Sequence, residues 1–449
     1  MRILLINPWI CDVAAYDFWL KPLGILYVGA ILERWGVEVE LLDLMDRHSP
    51  FYVSFLENSG LRIRQGRYGS GKFYHEELFP PPPQLQGIPR RFKRYGWPRK
   101  IAEERVRKII RRFDAVFITS CMTYWYWGIV ETVKLIKEIC SLPIFLGGIY
   151  VNLVEWHARS LGKEHGFEVV KGTGVAPVIE AMKKLTGYEY SDDFDWFEDL
   201  HPAYHLYNHS LPYGVLMTSV GCPMRCTYCI TPRLWGGLKS KKAKKVIYEV
   251  DMLIDMGAEN IVFFDDAFLL NPDVDEVLDL LAKYAGKVRF LLPNGVHARL
   301  LTMELACKLK RANFVLIYLG YESSGSLQYK TGGKVTDEDL KKAVHNLKKA
   351  GYGPEEIKVY IMVNMPGQRK EDVEKAIEFC ESLDVDYSLN EYTPIPGTLD
   401  WVELIKEKKL DPDVDPLLLN NSVLPYWWEH GMDVETIEKL KRLKNRCLG

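Results

Sequence analysis

Short apolar runs alternate with helix-forming segments along most of this 449-residue chain. In the first part of the chain, the apolar runs cover residues 2–7, 37–44, 115–120, 143–146 and 167–170. Apolar runs that are separated by helices are typical of parallel sheets with both faces covered. The sequence therefore predicts an α/β fold that begins with a doubly wound, Rossmann-like parallel sheet.

A second series of the same kind begins at about residue 214. Each predicted strand ends in polar residues, and the strands cover residues 214–219, 260–264, 288–292, 314–320, 357–363 and 386–390. Six strand–helix repeats are fewer than the eight of a closed barrel, and right-handed crossovers would curl them into a partial one. We therefore expect a (β/α)6 partial barrel with functional residues after its strands.

These patterns divide the chain into four regions. We expect a Rossmann-like domain over residues 1–185, a linker over 186–212, a partial barrel over 213–399 and a helical C-terminal region over 400–449. The linker is rich in Asp, Pro and Tyr, which favour irregular structure.

An insertion at about residues 50–100 interrupts the first domain. It contains Pro80–Pro83, which cannot continue a helix, so we expect a surface excursion or a strap across a neighbouring segment. Its basic run over residues 90–96 indicates a solvated face, with anion binding as the alternative.

Charge and hydropathy exclude several classes of protein. The chain has 58 Lys and Arg against 60 Asp and Glu, so its formal net charge is −2 and does not favour nucleic acid or an anionic membrane. It has no apolar run of about 18 residues, and Met1-Arg2 leads directly into a predicted strand rather than a signal peptide. We expect a cytoplasmic protein without a membrane span.

Cys222, Cys226 and Cys229 lie within eight residues, in the stretch GCPMRCTYC. Their C-x3-C-x2-C spacing lets three thiolates bind three irons of one [4Fe–4S] cluster, for which cysteine thiolates are the usual ligands. No fourth cysteine lies nearby in the sequence, so one iron would stay open for a substrate or cofactor. This arrangement indicates catalysis rather than electron transfer alone.

Two other readings of the three cysteines stay open. Zinc sites usually combine paired C-x2-C units with a fourth ligand, and the nearest histidines, His201 and His205, do not have a zinc-finger spacing. Structural thiols are the second alternative, whereas a disulfide is disfavoured by the odd number and the expected intracellular setting.

The cysteine loop and the segments that follow it resemble the radical S-adenosylmethionine (SAM) superfamily. The resemblance lies in the C-x3-C-x2-C motif with an aromatic residue, Tyr228, before the last cysteine, in the preceding TSVGCP, and in the six predicted strands. It implies that the amino and carboxylate groups of SAM bind the open iron. One electron from the cluster would then cleave the sulfonium and produce a 5′-deoxyadenosyl radical.

The same resemblance implies which residues bind SAM. Asp265 and Asp266 resemble the acidic motif for the methionyl amino group, with a helix cap or a surface acid pair as the alternative. Arg299 would pair with the methionyl carboxylate, and Glu322 would contact the ribose and sulfonium. The full implied set is Tyr228, Asp265, Asp266, Asn294, Arg299, Glu322, Asn364, Pro366 and Gly367.

The first domain resembles the cobalamin-binding domain that precedes this barrel in one branch of the superfamily. The similarity lies in ILLINP, PLGILYVGAILERWG, FLGG and VVKGTG. The loop NPWICDVAAYD lacks the cobalt-ligating histidine of the D-x-H-x-x-G signature, and Thr173 stands where relatives often carry Glu. The implied cobalamin residues are Trp9, Ile10, Cys11, Ser120, Met122, Gly147, Gly148, Gly172 and Gly174.

The remaining cysteines are expected to be mostly structural. Cys11 and Cys121 fall on adjacent strand-end loops, where two buried thiols are favoured over a cobalt ligand or a second metal site. The others expected to be structural are Cys140, Cys307, Cys380 and Cys447.

Together the two resemblances cover about residues 1–400 and imply an enzyme. The favoured function is a cobalamin-dependent methyltransferase that acts on an unactivated carbon of a small molecule or peptide. An electron donor such as flavodoxin or ferredoxin is the expected partner, and nucleic acid is not. The alternatives are a rearrangement, cyclisation or oxidation without methyl transfer, or a cluster-bearing redox or binding protein with a vestigial cobalamin domain.

Overall fold

A computed structural model of the protein describes residues 1–332 and 335–446. The chain forms two compact units, of which the first comprises Met1–Tyr213 and Asp415–Leu418. The second comprises Gly214–Val414 and the C-terminal part from Leu419. Cys447 lies outside the described residues. Within the described residues, no helix is both long and apolar enough to cross a bilayer.

The first unit contains a five-stranded parallel sheet in the order β10-β9-β8-β1-β4. Its strands are β1 (Arg2–Asn7), β4 (Glu38–Asp43), β8 (Ala115–Ile118), β9 (Ile144–Leu146) and β10 (Glu168–Val169). Their side chains are largely buried on both faces, as the apolar runs predict. The strand order reverses between β8 and β1, and ligands of such sheets bind outside the carboxyl ends of the strands at this point.

Seven α-helices, besides short 3-10 turns, accompany this sheet in the described part of the first unit. Their bounds are α1 (Leu23–Arg34), α2 (Pro50–Asn58), α3 (Arg99–Ile109), α4 (Tyr126–Lys137), α5 (Ile149–Leu153), α6 (Glu155–His165) and α7 (Ala176–Thr186). The predicted doubly wound α/β fold is therefore confirmed.

The insertion is folded into the first unit rather than extended along its surface. Its strands β6 (His75–Glu77) and β7 (Lys93–Tyr95) form an antiparallel sheet with β2 (Ile10–Asp12). A second ribbon joins β3 (Tyr16–Asp17) to β5 (Gly71–Lys72). The basic run is only partly solvated, because Arg94 is buried and forms ion pairs with Glu76 and Glu131.

The segment predicted as a linker is bonded to the first unit by buried polar contacts. The Tyr207 hydroxyl donates to Asp43 at 2.5 Å, and His209 Nε2 lies 2.9 Å from Asp46. The Tyr213 hydroxyl donates to Asp17. These contacts keep the chain attached to the carboxyl end of β4 until the second unit begins.

The second unit contains six strands in sequential order, β11-β14-β15-β16-β17-β18. They are β11 (Tyr213–Leu216), β14 (Asn260–Phe263), β15 (Arg289–His297), β16 (Phe314–Glu322), β17 (Ile357–Val363) and β18 (Asp386–Glu391). The pairs from β14 to β18 are parallel. This arrangement confirms the predicted (β/α)6 partial barrel.

Helices connect these strands and continue into the C-terminal region. Their bounds are α8 (Thr231–Trp235), α9 (Ala243–Asp255), α10 (Val274–Leu281), α11 (Met303–Arg311), α12 (Ser326–Lys330), α13 (Asp337–Lys349), α14 (Lys370–Ser382), α15 (Leu399–Lys406) and α16 (Val434–Arg446).

Two predicted strand ends differ most from the structure, whereas the other ends differ by one or two residues at most. The strand predicted over 214–219 breaks after Leu216, and a separate strand, β12 (Ser219–Val220), pairs in antiparallel fashion with β13 (Lys239–Ser240). The strand predicted to end before Pro293 continues as β15 to His297 through a register irregularity between Leu292 and Val296.

Candidate active site

The cysteine loop is the connection between β12 and β13. Val220 pairs with Lys239 and Ser219 with Ser240, so the hairpin closes immediately before and well after the three cysteines. Gly221, the residue before Cys222, has a φ of +84°, and a Cβ there would lie 1.8 Å from the Gly237 carbonyl oxygen. Only glycine permits this close approach of the two backbones.

Cys222, Cys226 and Cys229 line one cavity of about 360 Å³. The volume falls within the range of small-molecule and cofactor sites. The other residues that line it are Met224, Tyr228, Thr231, Asp266, Pro293, Asn294, Gly295, Glu322 and Tyr360. The structure thus brings the three cysteines together with Tyr228, Asp266, Asn294 and Glu322 from the predicted SAM set.

The three cysteines line one cavity but are not grouped around a single metal position. In the part of the chain that the structure describes, no three His, Cys, Asp or Glu side chains are close enough to ligate a single metal ion. A mononuclear zinc site requires all its ligand atoms at about 2–2.3 Å from one ion. A four-iron cluster takes one thiolate on each of three irons, so thiolates spread around a cavity fit a cluster. No cysteine within the described ranges is disulfide-bonded.

The two adjacent aspartates after β14 have different surroundings. The Asp265 carboxylate is buried and accepts hydrogen bonds from the backbone and hydroxyl groups of Thr218 and Ser219. Burial raises its pKa to about 6, and these hydrogen bonds offset only part of the effect. Asp266 lines the cavity and accepts from Gly221 N at 3.1 Å and Thr231 Oγ1 at 3.2 Å.

Glu322 combines a cavity position with an unusual backbone. Its φ is +71°, in the left-handed region that disfavours residues with a side chain. Such strain persists where the surrounding structure imposes it, and it concentrates at functional sites. Glu322, the last residue of β16, thus places its carboxylate at the cavity although its backbone conformation is unfavourable.

Five predicted SAM residues do not line this cavity: Asp265, described above, and Arg299, Asn364, Pro366 and Gly367. Arg299 forms an ion pair with Asp339 at 3.3 Å, near the beginning of α13. Asn364 is buried, and its Oδ1 accepts a hydrogen bond from Met432 N in the C-terminal region. Pro366 and Gly367 follow Asn364 in the turn after β17 and are also absent from the described cavity lining.

Tyr360 is a cavity residue that sequence reasoning missed. Its hydroxyl donates to the Pro293 carbonyl oxygen at 2.7 Å, and its ring stacks on Tyr318 with centroids 4.9 Å apart. Side chains in β17 alternate between buried and half-buried, and Tyr360 belongs to the half-buried set with Lys358 and Met362. This alternation is visible in the sequence and could have identified Tyr360.

The part of the chain that carries this cavity matches a known protein family. The model of the radical SAM superfamily matches residues 216–380, which include the three cysteines, both aspartates and Glu322. The match covers the barrel segment of the chain and supports the expectation of a [4Fe–4S] cluster and SAM there.

Curated relatives of this chain include proteins named as methyltransferases or methylases. An uncharacterized methyltransferase of Pyrococcus horikoshii is 28% identical over 248 residues, which cover 54% of this chain and 50% of the relative. The hopanoid C-2 methylase of Rhodopseudomonas palustris is 25% identical and covers 70% of this chain and 63% of its own length. The chain spans about half the length of the first curated relatives it matches.

Solved structures share the fold of nearly the whole chain. The radical SAM methyltransferase TsrM of Kitasatospora setae, with cobalamin and a [4Fe–4S] cluster bound, superposes with a TM-score of 0.63 at 16% identity. The superposition covers 90% of this chain and 78% of TsrM. A structure of TsrM with tryptophan and a SAM analogue gives a TM-score of 0.64. The fold of this chain is therefore similar to that of TsrM.

In the first unit, the loop predicted to face cobalamin is largely covered. Trp9, Ile10 and Cys11 are buried, with Cys11 inside the β2–β7–β6 sheet. Burial raises the pKa of the Cys11 thiol well above its usual value. Trp9 Nε1 donates to the Trp97 carbonyl oxygen, so the insertion holds this loop closed. Cys121 is exposed, which differs from the expectation of a buried thiol.

The other predicted cobalamin residues lie at the carboxyl ends of β8, β9 and β10. Ser120 is buried, and its hydroxyl donates to the Gly147 carbonyl oxygen. A Cβ at Gly148 would lie 2.4 Å from the Ser120 carbonyl oxygen. Gly172 exchanges two hydrogen bonds with the Asn152 side chain, and Trp196 covers Gly174. Met122 is 45% exposed.

Proposed function

We propose that the protein is a SAM-cleaving enzyme that uses a [4Fe–4S] cluster and cobalamin to methylate an unactivated carbon. The observation that carries the proposal is the single cavity lined by Cys222, Cys226 and Cys229 together with two carboxylates. The three thiolates suit a cluster with one open iron, and that iron requires a further ligand such as the methionyl group of SAM.

The charge of the cavity supports a cationic ligand. Asp266 and Glu322 are carboxylates, and the described residues that line the cavity include no Lys or Arg. Burial raises the pKa of Asp266, and the hydrogen bonds from Gly221 and Thr231 offset only part of this effect. The ammonium and sulfonium groups of SAM would supply positive charge at this position.

The carboxyl edge of the first sheet supports cobalamin binding. Met122 and Ile149 follow β8 and β9 and are 45% and 37% exposed. The two loops that carry them are adjacent, because Ile149 N donates to the Ser120 carbonyl oxygen. Exposed apolar side chains at a strand-order reversal are typical of a site for a large ligand. With Trp9–Cys11 buried, Met122 and its neighbours are the proposed contacts, and cobalamin would supply a carrier for the methyl group.

The similarity to methyl-transferring relatives supports methyl transfer as the outcome. The hopanoid methylase aligns with 70% of this chain, and the TsrM fold covers 90% of it. We propose a small molecule or a peptide as the substrate and a low-potential electron-transfer protein as the reductant. The division into a cobalamin domain, a partial barrel and a helical C-terminal region is part of the same proposal.

The test is anaerobic reconstitution with iron, sulfide and hydroxocobalamin, followed by incubation with SAM and a reductant. We expect 5′-deoxyadenosine, and S-adenosylhomocysteine when cobalamin is present. Cys226→Ala should abolish both products, whereas Cys307→Ala, at an exposed position in α11, should abolish neither. 5′-Deoxyadenosine without S-adenosylhomocysteine would favour a non-methylating reaction. The absence of both from wild-type protein would indicate a redox or binding protein and refute the proposal.

A further inference from the structure

Both oxygens of the Asp265 carboxylate accept hydrogen bonds from the strand that leads into the cysteine loop. It accepts from Thr218 N at 3.0 Å, Thr218 Oγ1 at 2.6 Å, Ser219 N at 2.6 Å and Ser219 Oγ at 2.8 Å. A carboxylate offers about four lone-pair positions for hydrogen bonds. Three of these bonds converge on Oδ1 and one reaches Oδ2, and the carboxylate is buried outside the main cavity, so it faces the strand rather than a ligand.

Asp266 differs from Asp265 in the number of hydrogen bonds that it accepts and in its position at the cavity. It accepts two hydrogen bonds, from Gly221 N and Thr231 Oγ1, which leaves about two acceptor positions open. It also lines the main cavity, whereas Asp265 lines only an adjoining cavity of about 20 Å³. Its two partners flank the cysteines, since Gly221 precedes Cys222 and Thr231 follows Cys229.

Thr218 and Ser219 form the fixed base of the cysteine loop. Both are fully buried. Asn271 Nδ2 donates to Thr218 Oγ1 at 3.0 Å, and Lys241 N donates to the Thr218 carbonyl oxygen at 2.8 Å. The Asp265 carboxylate is the acceptor that binds both residues, three and four positions before Cys222.

We propose that Asp265 is a positioning residue that sets the cysteine loop, and that Asp266 is the member of the pair that contacts SAM. This assignment rests on the proposed function, because it concerns how the cluster and SAM are held. It separates two residues that the sequence treats as one acidic motif. Asp265 acts on the cluster through Thr218 and Ser219, and Asp266 acts on the ligand directly.

The matched variants Asp265→Asn and Asp266→Asn test the assignment, because each replaces a carboxylate by an amide of the same shape. Anaerobically reconstituted protein is reduced, its electron paramagnetic resonance (EPR) spectrum is recorded without SAM, and SAM is then titrated. Asp266→Asn should retain the cluster and weaken SAM binding by about 10- to 100-fold, since it removes charge-assisted hydrogen bonds. Asp265→Asn should alter the SAM-free spectrum or lower the iron content, because its amide nitrogen faces donors.

Milder variants keep the proposal testable if Asp265→Asn does not fold. Ser219→Ala and Thr218→Val leave the Asp265 carboxylate in place and each remove one hydroxyl donor. Each should shift the SAM-free spectrum, and Ser219→Ala should add little to the shift caused by Asp265→Asn, because both break the same contact.

Three outcomes would overturn the assignment. A wild-type SAM-free spectrum in Asp265→Asn together with SAM binding weakened as in Asp266→Asn would make Asp265 a direct ligand. Wild-type behaviour of Asp265→Asn, or of both Ser219→Ala and Thr218→Val, would remove its positioning role. A wild-type protein that takes up no cluster would refute the proposed function itself, and this result is read independently of the variants.

Discussion

Gly221→Ala should prevent the hairpin from closing around the cysteine loop. At this position φ is +84°, which costs a residue with a Cβ about 1–2 kcal/mol. The new Cβ would also lie 1.8 Å from the Gly237 carbonyl oxygen and 3.1 Å from Trp235 Cβ. Because the closest atom is backbone, rotation of a side chain cannot relieve the contact. Overpacking of this kind adds about 1–3 kcal/mol, so the total cost is about 2–5 kcal/mol.

Gly236→Ala is the matched control in the same hairpin. Gly236 has a φ of +68°, but a Cβ there meets no atom within 4 Å. This variant should lose only the conformational term, about 1–2 kcal/mol. The difference between the two variants therefore isolates the contact between the two backbones.

The assay combines urea unfolding of the apoprotein with iron and sulfide content after anaerobic reconstitution. We expect Gly221→Ala to be less stable than Gly236→Ala by about 1–3 kcal/mol and to lose most of its iron, because Cys222 follows the displaced residue. If both variants unfold at the same urea concentration and bind equal iron, the reasoning about the hairpin is wrong.

Three further predictions concern other parts of the protein. Glu322→Gly removes the backbone strain of the positive φ, so it should leave the free energy of unfolding unchanged or raise it by up to about 1 kcal/mol. Because the variant also lacks the carboxylate, its affinity for SAM in a calorimetric titration should fall about tenfold or more. Lys408→Gly, at another positive φ, is the control and should not change the affinity for SAM. Lys241→Met should lower the free energy of unfolding in urea by about 3–5 kcal/mol, because it removes the ammonium group that lies 2.6 Å from the buried Glu249 carboxylate. The double variant Lys241→Met with Glu249→Leu should recover much of this loss, because it also removes the buried carboxylate. Burial, together with the charges of Lys21 and Arg47, lowers the pKa of His48 to about 3 in the folded protein. As pH falls, the imidazole is therefore protonated first in the unfolded chain. The protein should lose stability as pH falls from about 6.5 to 3. In His48→Gln, the free energy of unfolding should therefore fall less over this pH range than in the wild type, by at most about 5 kcal/mol. His345→Gln, on the exposed face of α13, is the control and should behave as the wild type does. An equal pH dependence of unfolding in the wild type and both variants would contradict this reasoning.

The alternation of strands and helices could be predicted from the sequence because most of the main strands contain several apolar residues close together. Runs such as Ile357–Val363 are bounded by polar or turn-forming residues, and local pattern is sufficient for them. The three strands Ile10–Asp12, His75–Glu77 and Lys93–Tyr95 could not be found in this way. They are only three residues long, and their pairing joins segments that are far apart in the chain.

The candidate site shows the same limit at the level of single residues. Cys222, Cys226 and Cys229 are defined by spacing alone, and the structure places them on one cavity. Asp265 and Asp266 are chemically identical in the sequence, and only their hydrogen-bond partners distinguish them. The ion pair of Arg299 with Asp339, 40 residues later, depends on the packing of α13 and has no local signal.

EPR spectroscopy of the reduced, reconstituted protein before and after addition of SAM tests the central claim most directly. The account predicts about one [4Fe–4S] cluster per chain, a spectrum that changes when SAM binds the open iron, and loss of the signal in Cys226→Ala. A cluster signal that persists in Cys226→Ala, or a spectrum that SAM leaves unchanged, would contradict it.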